Sequence, residues 1–258
     1  MNVFITGAGS GLGEGLSRRY AVPGATIGLC DRRADLLERL ARDIEARGAK
    51  AIVYAVDVTD TAAMRQAAEQ FIAHAGKVDL VIANAGIVIP NRTLQGQSEP
   101  IAELMRTNII GVTNTIVPFI PTMVEQRSGV LVAMSSMAGH RGLPWCDAYS
   151  ASKAAVRVFM DALRINLHGT DVHAMTLCPG FVHTPMTAGV TGYKGPFPIE
   201  CDEAVDIMTA AIAARKKTFN FPWQMRLMSG LLKHWSEIRI HKLHLRKLNR
   251  AVSEGLQE

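Results

Sequence analysis

A tyrosine and a lysine four positions apart, Tyr149 and Lys153, stand in the run YSASKAAVRVF, whose apolar spacing predicts a helix. Side chains at positions i and i+4 lie on one helical face, so the Lys153 ammonium can act on the Tyr149 hydroxyl. A tyrosine with an ordinary pKa of about 10 is a poor base near neutrality, and a neighbouring cation favours its phenolate. The pair is therefore a candidate for moving a proton to and from a substrate oxygen. The spacing alone also fits a packed ring beside a lysine that reaches water.

Ser136 is the third polar residue of this group. It precedes Tyr149 by 13 residues and lies just past the apolar run GVLVAM at 129–134, which predicts a strand. Ligands of open parallel sheets bind at the carboxyl ends of the strands. A serine hydroxyl at such an end can donate a hydrogen bond to a substrate oxygen as negative charge develops on it.

The elements that must position these residues are short apolar runs that alternate with longer amphipathic segments. Strands are predicted at 2–6, 25–30, 50–56, 79–83, 129–134 and 171–177. The intervening segments at 33–48 and 61–76 have apolar residues at helical spacing and end in glycine. Continuous apolar strands separated by helices predict a doubly wound parallel α/β sheet of the Rossmann type.

A glycine-rich segment, FITGAGSGLGEGL at 4–16, joins the first predicted strand to a helix. Glycines allow the backbone to approach a phosphate closely, and the free N–H groups of a helix N-terminus favour an anion. A P-loop is excluded because no Lys-Ser/Thr pair follows the last glycine. Taken alone, the segment could also be only a tight strand-to-helix turn.

Asp31 closes the second predicted strand, 20 residues after Gly11, where a dinucleotide fold places a carboxylate against the adenosine ribose. That carboxylate would repel a 2′-phosphate, so NAD is favoured over NADP. Arg32 and Arg33 follow directly, however, and a guanidinium turned inward could pair with such a phosphate. Asp31 can also serve as a helix N-cap, which is compatible with either role.

Taken together, these motifs resemble the short-chain dehydrogenase/reductase family, of the type with about 250 residues. The motifs are TGxxxGxG at 6–13, DV at 57–58, NAG at 84–86, RTN at 106–108, Ser136, Tyr149-x-x-x-Lys153 and PGFVHT at 179–184. They occur in the family's order over residues 1–184, which makes the resemblance specific. One departure is ANAG at 83–86, where the family often has NNAG, and we expect it to be harmless.

The resemblance implies a role for each matching residue. The catalytic tetrad would be Asn108, Ser136, Tyr149 and Lys153, in which Asn108 would hold a proton-relaying water and Lys153 would also hold the nicotinamide ribose. The cofactor-binding residues would be Gly7, Gly9, Ser10, Gly11, Leu12, Gly13, Asp31, Arg32, Asp57, Val58, Asn84, Ala85, Gly86, Tyr149, Lys153, Pro179, Gly180, Val182 and Thr184. The cofactor would be NAD, with NADP possible, and the protein would form a dimer or a tetramer.

The bulk properties fit one large domain in a reducing compartment. The chain has 258 residues, of which 48% are hydrophobic and 20% charged. Its four cysteines are far apart and show neither a disulfide framework nor the spacing of a metal site. We expect no signal peptide, no apolar segment long enough to span a bilayer, and a cytoplasmic location.

We expect a domain over residues 1–222 and a basic helical tail over 223–258. Residues 215–258 contain ten Lys/Arg and three Asp/Glu, so the tail carries most of the basic charge. A basic amphipathic helix can lie on an anionic membrane, or pack on its own domain or on a partner subunit. A nucleic-acid partner is not expected, because no recognised module accompanies the charge.

The predicted substrate is a lipophilic alcohol or ketone. The loop at 180–198 and the segment at 140–148 offer mostly apolar side chains and few charges. The candidate residues that line the substrate pocket, each of which could equally be core or lid packing, are Leu143, Pro144, Trp145, Phe181, Met186, Tyr193 and Phe197. The sequence therefore predicts an NAD(P)-dependent oxidoreductase that interconverts a secondary alcohol and a ketone. The alternatives are a catalytically silent nucleotide-binding or scaffold protein of the same fold, and a membrane-peripheral reductase of lipid carbonyls.

Overall fold

Seven parallel strands form the centre of the protein. The structure is a computed structural model that describes residues 1–89, 93–188 and 195–232. The strands are β1 Asn2–Thr6, β2 Thr26–Asp31, β3 Lys50–Ala55, β4 Leu80–Ala83, β5 Gly129–Met134, β6 Val172–Pro179 and β7 Thr218–Phe221. Their spatial order is β3-β2-β1-β4-β5-β6-β7. Val3 of β1 pairs with Ile27 of β2 on one side and with Leu80 of β4 on the other. The order in which the strands are added to the sheet therefore reverses between β1 and β4.

Helices cover both faces of this sheet. They are α1 Gly11–Tyr20, α2 Ala34–Glu45, α3 Thr61–Ala75, α4 Glu99–Met105, α5 Gly111–Ile116, α6 Ile120–Glu125, α7 Asp147–Asn166, α8 Pro185–Ala188, α9 Cys201–Ala213 and α10 Trp223–Leu232. One apolar core lies between the sheet and α1, α2 and α9, and a second lies between the sheet and α3, α5 and α7. Because both faces are buried, the strands carry the continuous apolar runs that predicted them. The doubly wound fold is confirmed.

The helices α4 to α6 form one continuous run, Glu99–Glu125, joined by a π-helical turn at Arg106–Ile110 and a 3-10 turn at Val117–Phe119. Contrary to the sequence-based expectation, this run is long and apolar enough to cross a membrane by length and composition alone, with a mean hydropathy of 1.2. Its fully buried apolar residues pack into the core: Leu104, Val112, Ile116, Phe119 and Met123. One face of the run therefore packs against the core.

The carboxyl ends of the strands meet at one edge of the sheet. Thr6, Asp31, Ala83, Met134 and Pro179 are the last residues of β1, β2, β4, β5 and β6. Each is followed by one of the segments that carry the sequence motifs. Ligands of open α/β sheets bind at this edge, next to the point where the strand order reverses.

Candidate active site

Ser136 and Tyr149 face each other at the end of β5. Ser136 caps the 3-10 turn Met137–His140, and its Oγ accepts a hydrogen bond from the Ala138 N–H at 3.1 Å. The same Oγ lies 3.5 Å from the Pro179 carbonyl oxygen, which ties the turn to β6. The Ser136 side chain also lies close enough to the Tyr149 hydroxyl to act on it as a hydrogen-bonding partner that lowers its pKa. The phenol therefore lies beside the serine.

Lys153 lies one turn further along α7 and is almost fully buried, with 4% of its surface exposed. Its Nζ donates to the Met134 carbonyl oxygen at 3.0 Å and lies 5.7 Å from the centre of the Tyr149 ring. The backbone of the lysine is fixed as well, since Ser135 Oγ donates to the Lys153 carbonyl oxygen at 2.7 Å. The ammonium is thus held between β5 and the tyrosine ring.

The acidity of the tyrosine differs from the sequence-based prediction. Burial raises the pKa of Tyr149 to about 12, and the hydrogen bond from Ser136 only partly opposes that increase. Burial also lowers the pKa of Lys153 from 10.5 to about 8. Desolvation therefore outweighs the lysine among the protein's own groups, and the expected lowering of the Tyr149 pKa is wrong for the chain by itself.

Asn108 is fully buried in the π-helical turn, which brings it beside the segment that follows β4. Its Oδ1 accepts from the Ile87 N–H at 2.8 Å, and its Nδ2 donates to the Ile87 carbonyl oxygen at 3.0 Å and to Ser152 Oγ at 3.2 Å. Ser152 Oγ in turn donates to the Tyr149 carbonyl oxygen at 2.8 Å. The Asn108 side chain therefore joins the β4 loop to the tyrosine helix. Its relay of protons through a water stays a prediction.

The glycine-rich turn after β1 allows other atoms to approach its backbone closely. Gly7 has a φ of +66°, and a Cβ at Gly13 would lie 2.1 Å from the Gly7 carbonyl oxygen, so neither position suits a larger residue. Asn84 Nδ2 holds this turn by donating to the carbonyl oxygens of Thr6 and Gly7 at 3.0 and 3.2 Å. The first N–H groups of α1 receive no side-chain cap from Ser10. They form the positive end that a pyrophosphate requires.

Asp31 lies beside this turn and is paired with Arg33. Arg33 Nε and Nη2 donate to the two Asp31 carboxylate oxygens, each at 2.9 Å. The Gly9 N–H donates to Asp31 Oδ2 at 3.2 Å, and Arg33 Nη2 also donates to Ser10 Oγ at 3.1 Å. Burial raises the pKa of Asp31, but the hydrogen bonds and charge of Arg33 outweigh it and hold the pKa below its usual range. Arg32, which the resemblance named, is exposed beside this pair.

The other predicted cofactor residues line the same edge. Asp57 is exposed, and its Oδ1 accepts from the Thr59 N–H and Oγ1 at 2.8 Å, whereas Val58 is buried under Gly111. A Cβ at Gly86 would lie 3.4 Å from Lys153 Nζ, which places that loop beside the lysine. The remaining predicted residues lie in the first turn of α1, in the loop after β4, and at or after the end of β6: Leu12, Ala85, Pro179, Gly180, Val182 and Thr184. A Cβ at Gly11 would be 3.5 Å from Thr184 Cβ, so the loop after β6 reaches the glycine turn.

The predicted substrate side is apolar and partly open. Trp145, Met186 and Phe197 are each between 42% and 50% exposed. Phe181 packs against the small apolar cluster of Met137, Cys178, Met225 and Met228, which joins α10 to the turn after β5. Leu143 and Pro144 are half-buried in the segment between that turn and α7. Tyr193, in the predicted loop at 180–198, and residues 233–258 of the predicted tail lie outside the described residues.

Sequence reasoning missed the residues that hold the site in place. Thr6 Oγ1 accepts from the backbone N–H groups of Asn84 and Ala85, and Ser135 and Ser152 fix α7. Arg157 donates to the Gly139 carbonyl oxygen at 2.8 Å and so holds the turn after Ser136. Arg33, which the sequence offered together with Arg32 as a partner for a phosphate, pairs with Asp31. Whether an arginine forms two bonds to a carboxylate two residues before it depends on the rotamer of its side chain, which the sequence spacing does not determine.

The arrangement fits a nicotinamide dinucleotide. The glycine turn and the free end of α1 suit the pyrophosphate, and the Asp31 region lies at the adenosine end. The Ser136–Tyr149–Lys153 group lies at the other end, where the reacting ring would sit. A phenol beside a hydroxyl donor can exchange a proton with an oxygen whose carbon gains or loses a hydride.

Comparison with known proteins agrees with this geometry. The profile of the short chain dehydrogenase family matches residues 1–193. An uncharacterized oxidoreductase of Myxococcus xanthus is 36% identical over 229 residues, which are 89% of this chain and 90% of that protein. A short-chain dehydrogenase/reductase of Burkholderia phymatum in complex with NAD superposes with a TM-score of 0.81 at 25% identity, covering 89% of this chain and 92% of that chain. An alcohol dehydrogenase of Thermococcus sibiricus complexed with 5-hydroxy-NADP gives a TM-score of 0.77 at 25% identity, covering 85% and 95%.

Proposed function

Because the chain belongs to the short chain dehydrogenase family, we propose that it is an NAD(P)-dependent oxidoreductase that interconverts a secondary alcohol and a ketone. The observation that carries the proposal is the placement of Ser136 beside the Tyr149 hydroxyl, with Lys153 one helical turn away. A scaffold protein that only bound a nucleotide would have no need of this buried group. The glycine turn stands at the same edge of the sheet, so cofactor and proton donor can meet.

The chain's own residues handle the proton. A bound nicotinamide dinucleotide supplies the hydride in reduction and accepts it in oxidation. In reduction, the Tyr149 hydroxyl gives its proton to the carbonyl oxygen as the electron pair of the C=O bond moves onto that oxygen. Ser136 donates a hydrogen bond to the same oxygen while it carries negative charge. Lys153 places a positive charge behind the tyrosine, which favours the phenolate that proton transfer leaves.

The raised pKa of Tyr149 suits the phenol to act as an acid. With a pKa of about 12, the phenol is protonated over the whole neutral range and is ready to act as an acid. We therefore propose that the protein works as a carbonyl reductase at neutral pH. Alcohol oxidation needs the phenolate, whose population rises tenfold per pH unit below the pKa.

The substrate that fits best is lipophilic. Trp145, Met186 and Phe197 are exposed on the segments that flank the catalytic group, where they can cover an apolar molecule. None of the three carries a charge. We propose a ketone with an aliphatic or aromatic body, and not a sugar phosphate or a hydroxy acid.

The test is a panel of ketones and alcohols assayed with NADH, NADPH and their oxidised forms at about 340 nm, the absorbance band of the reduced nicotinamide. We expect turnover of apolar ketones at pH 7, and an alcohol oxidation rate that still increases between pH 8 and pH 10. A plateau of the oxidation rate below pH 8 would contradict the proposed direction. Cofactor binding without turnover of any compound would instead support a silent nucleotide-binding protein.

A further inference from the structure

The turn that follows Ser136 is held by the helix that carries Tyr149. The turn comprises only Met137–His140, and Ser136 is its N-cap. Gly139 of this turn is buried, and its carbonyl oxygen accepts a hydrogen bond from Arg157 Nη1 at 2.8 Å. Arg157 follows Tyr149 by eight residues on α7, so the two side chains lie on one face of that helix, about 12 Å apart along its axis. One helix therefore carries both the phenol and the donor that holds the turn of the serine.

The turn and α7 are in direct contact at Gly139. A Cβ at this glycine would lie 2.7 Å from the Lys153 carbonyl carbon and 2.8 Å from the carbonyl oxygen, so backbone packs on backbone. The Gly139 N–H donates to the Ser136 carbonyl oxygen at 2.9 Å, and the Ala138 N–H donates to Ser136 Oγ at 3.1 Å. A shift of Gly139 therefore moves the serine hydroxyl with it.

The carbonyl group of Gly139 needs a donor from outside the turn. The last carbonyl groups of a helical turn have no partner within the turn itself. Here the donor is a guanidinium 18 residues further along the chain. A buried carbonyl group that loses its donor is costly, so the turn would move until this oxygen found another donor.

Ser136 is held to α7 by one contact on each side. Before it, Ser135 Oγ donates to the Lys153 carbonyl oxygen at 2.7 Å, and after it, Arg157 donates to Gly139. If the bond from Arg157 is lost, the segment can rotate about the Ser135 contact. That rotation would carry Ser136 Oγ away from the phenol.

We propose that Arg157 is a positioning residue of the reaction, which fixes the distance between Ser136 and the Tyr149 hydroxyl and acts on the rate only through Ser136. The inference rests on the proposed function, because it concerns the same reacting group. The substrate oxygen must meet both hydroxyls at once, so a shift of about 1 Å between them can lower the rate about a hundredfold.

A double-mutant cycle tests whether Arg157 acts through Ser136. The kcat for the best ketone of the panel is measured at saturating cofactor in the wild type, Ser136→Ala, Arg157→Met and the double variant. We expect Ser136→Ala to lower kcat about a hundredfold and Arg157→Met to lower it about tenfold or more. The double variant should be within about twofold of Ser136→Ala, because a serine hydroxyl that is absent cannot be misplaced.

Two further variants separate the position of the serine from the stability of the fold. Arg157→Lys keeps a cationic donor, so its kcat should be at least about threefold higher than that of Arg157→Met. Arg164→Met is the matched control, since it removes the same charge from α7. Arg164 donates to the carbonyl oxygens of Ala174 in β6 and of Lys217 before β7, at 3.3 and 3.2 Å. We expect Arg164→Met to lower the melting temperature and to leave kcat within about twofold of the wild type.

A folded Arg157→Met variant with the kcat of the wild type, or a further loss of about tenfold in the Ser136→Ala background, would overturn the positioning role and leave the oxidoreductase proposal intact. If circular dichroism shows that Arg157→Met does not fold, the same cycle with Arg157→Lys decides. Its loss of kcat must then be present with Ser136 and absent without it. A wild type that reduces no ketone of the panel would overturn both proposals.

Discussion

At the scale of single residues, the site depends on burying a lysine that water would otherwise solvate. Lys153 is 4% exposed, and burial lowers its pKa to about 8. Among the described residues, the Met134 carbonyl oxygen is the only hydrogen-bond acceptor of the Lys153 ammonium, so much of the desolvation cost stands. The fold carries that cost because the ammonium must lie behind the Tyr149 ring.

Replacing the lysine should therefore stabilise the protein while it destroys activity. The shift from 10.5 to about 8 corresponds to about 3 kcal/mol, part of which is offset by the lost bond to Met134. We expect Lys153→Met to raise the free energy of unfolding at pH 7 by about 2 kcal/mol, measured by urea denaturation, and to abolish turnover. The exposed Lys50→Met is the control and should change neither quantity.

The lowered pKa of Lys153 sets the pH range over which the stability of the protein should change. The folded chain releases the Lys153 proton at about pH 8, whereas the unfolded chain keeps it to 10.5. The folded chain therefore has the full stability of a neutral Lys153 above pH 10.5, and it loses this stability as the pH falls through about 8. The free energy of unfolding of the wild type should therefore approach that of the Lys153→Met variant as the pH rises through this window. A variant that is less stable than the wild type at pH 7 would show that the buried charge is not costly.

The proximity of Tyr149, Lys153 and Ser136 could be predicted because it depends on spacing along one helix and at the end of one strand. The pKa values could not be predicted, since they depend on how deeply neighbouring elements bury the group. The ion pair of Asp31 with Arg33 was missed for a similar reason. Two adjacent arginines have the same charge, and only the packing decides which one turns inward.

At the scale of elements, the glycine turn shows how closely β1, α1 and the segment after β4 approach each other. A Cβ at Gly13 would lie 2.1 Å from the Gly7 carbonyl oxygen and 2.5 Å from Asn84 Nδ2. Both atoms belong to backbone or to a hydrogen-bonded side chain, so neither can move without opening the turn. The first turn of α1 is positioned by this contact.

Gly13→Ala should therefore remove cofactor binding by opening the turn. We expect a loss of affinity for NADPH of at least a hundredfold, measured by the fluorescence of the bound cofactor, and a lower melting temperature. Gly142→Ala is the control, because a Cβ at Gly142 meets no atom within 4 Å. Affinity within twofold of the wild type in Gly13→Ala would mean that the turn does not hold the cofactor.

Most elements could be predicted because their apolar runs are long and continuous. The six strands from β1 to β6 start within one residue of the predicted positions and end within two. The strand β7, Thr218–Phe221, was missed, since it has four residues and follows a basic segment at 215–217. The π-helical turn around Asn108 was also missed, because one extra residue in a helical turn leaves no mark on the apolar pattern.

At the scale of the whole molecule, two helices leave apolar side chains on the surface. Val158 and Ile165 of α7 are 67% and 76% exposed and are seven residues apart, which places them on one helical face. Ile110 and Val117 of the neighbouring run Glu99–Glu125 are also seven apart and are 45% and 47% exposed. The two helices pack against each other through α4 and the π-helical turn.

We propose that this surface joins two copies of the chain, as the family resemblance suggests. A twofold interface buries the same apolar residues on both copies, so one charge introduced there acts twice. Ile165→Glu should convert a dimer or tetramer into a smaller species, down to the 28.0 kDa monomer, in light scattering after size-exclusion chromatography. Val22→Glu, at a residue that is 51% exposed elsewhere, should not change the mass. A wild type that is already monomeric would disprove this assembly.

The central claim is that the Tyr149 hydroxyl transfers the proton that accompanies hydride transfer. Tyr149→Phe removes that oxygen and keeps the ring, so it separates chemistry from binding. With the best ketone of the panel, we expect kcat to fall by at least a thousandfold while the Kd for NADPH stays within about threefold of the wild-type value. Turnover near the wild-type rate in Tyr149→Phe, with the cofactor bound, would contradict the mechanism.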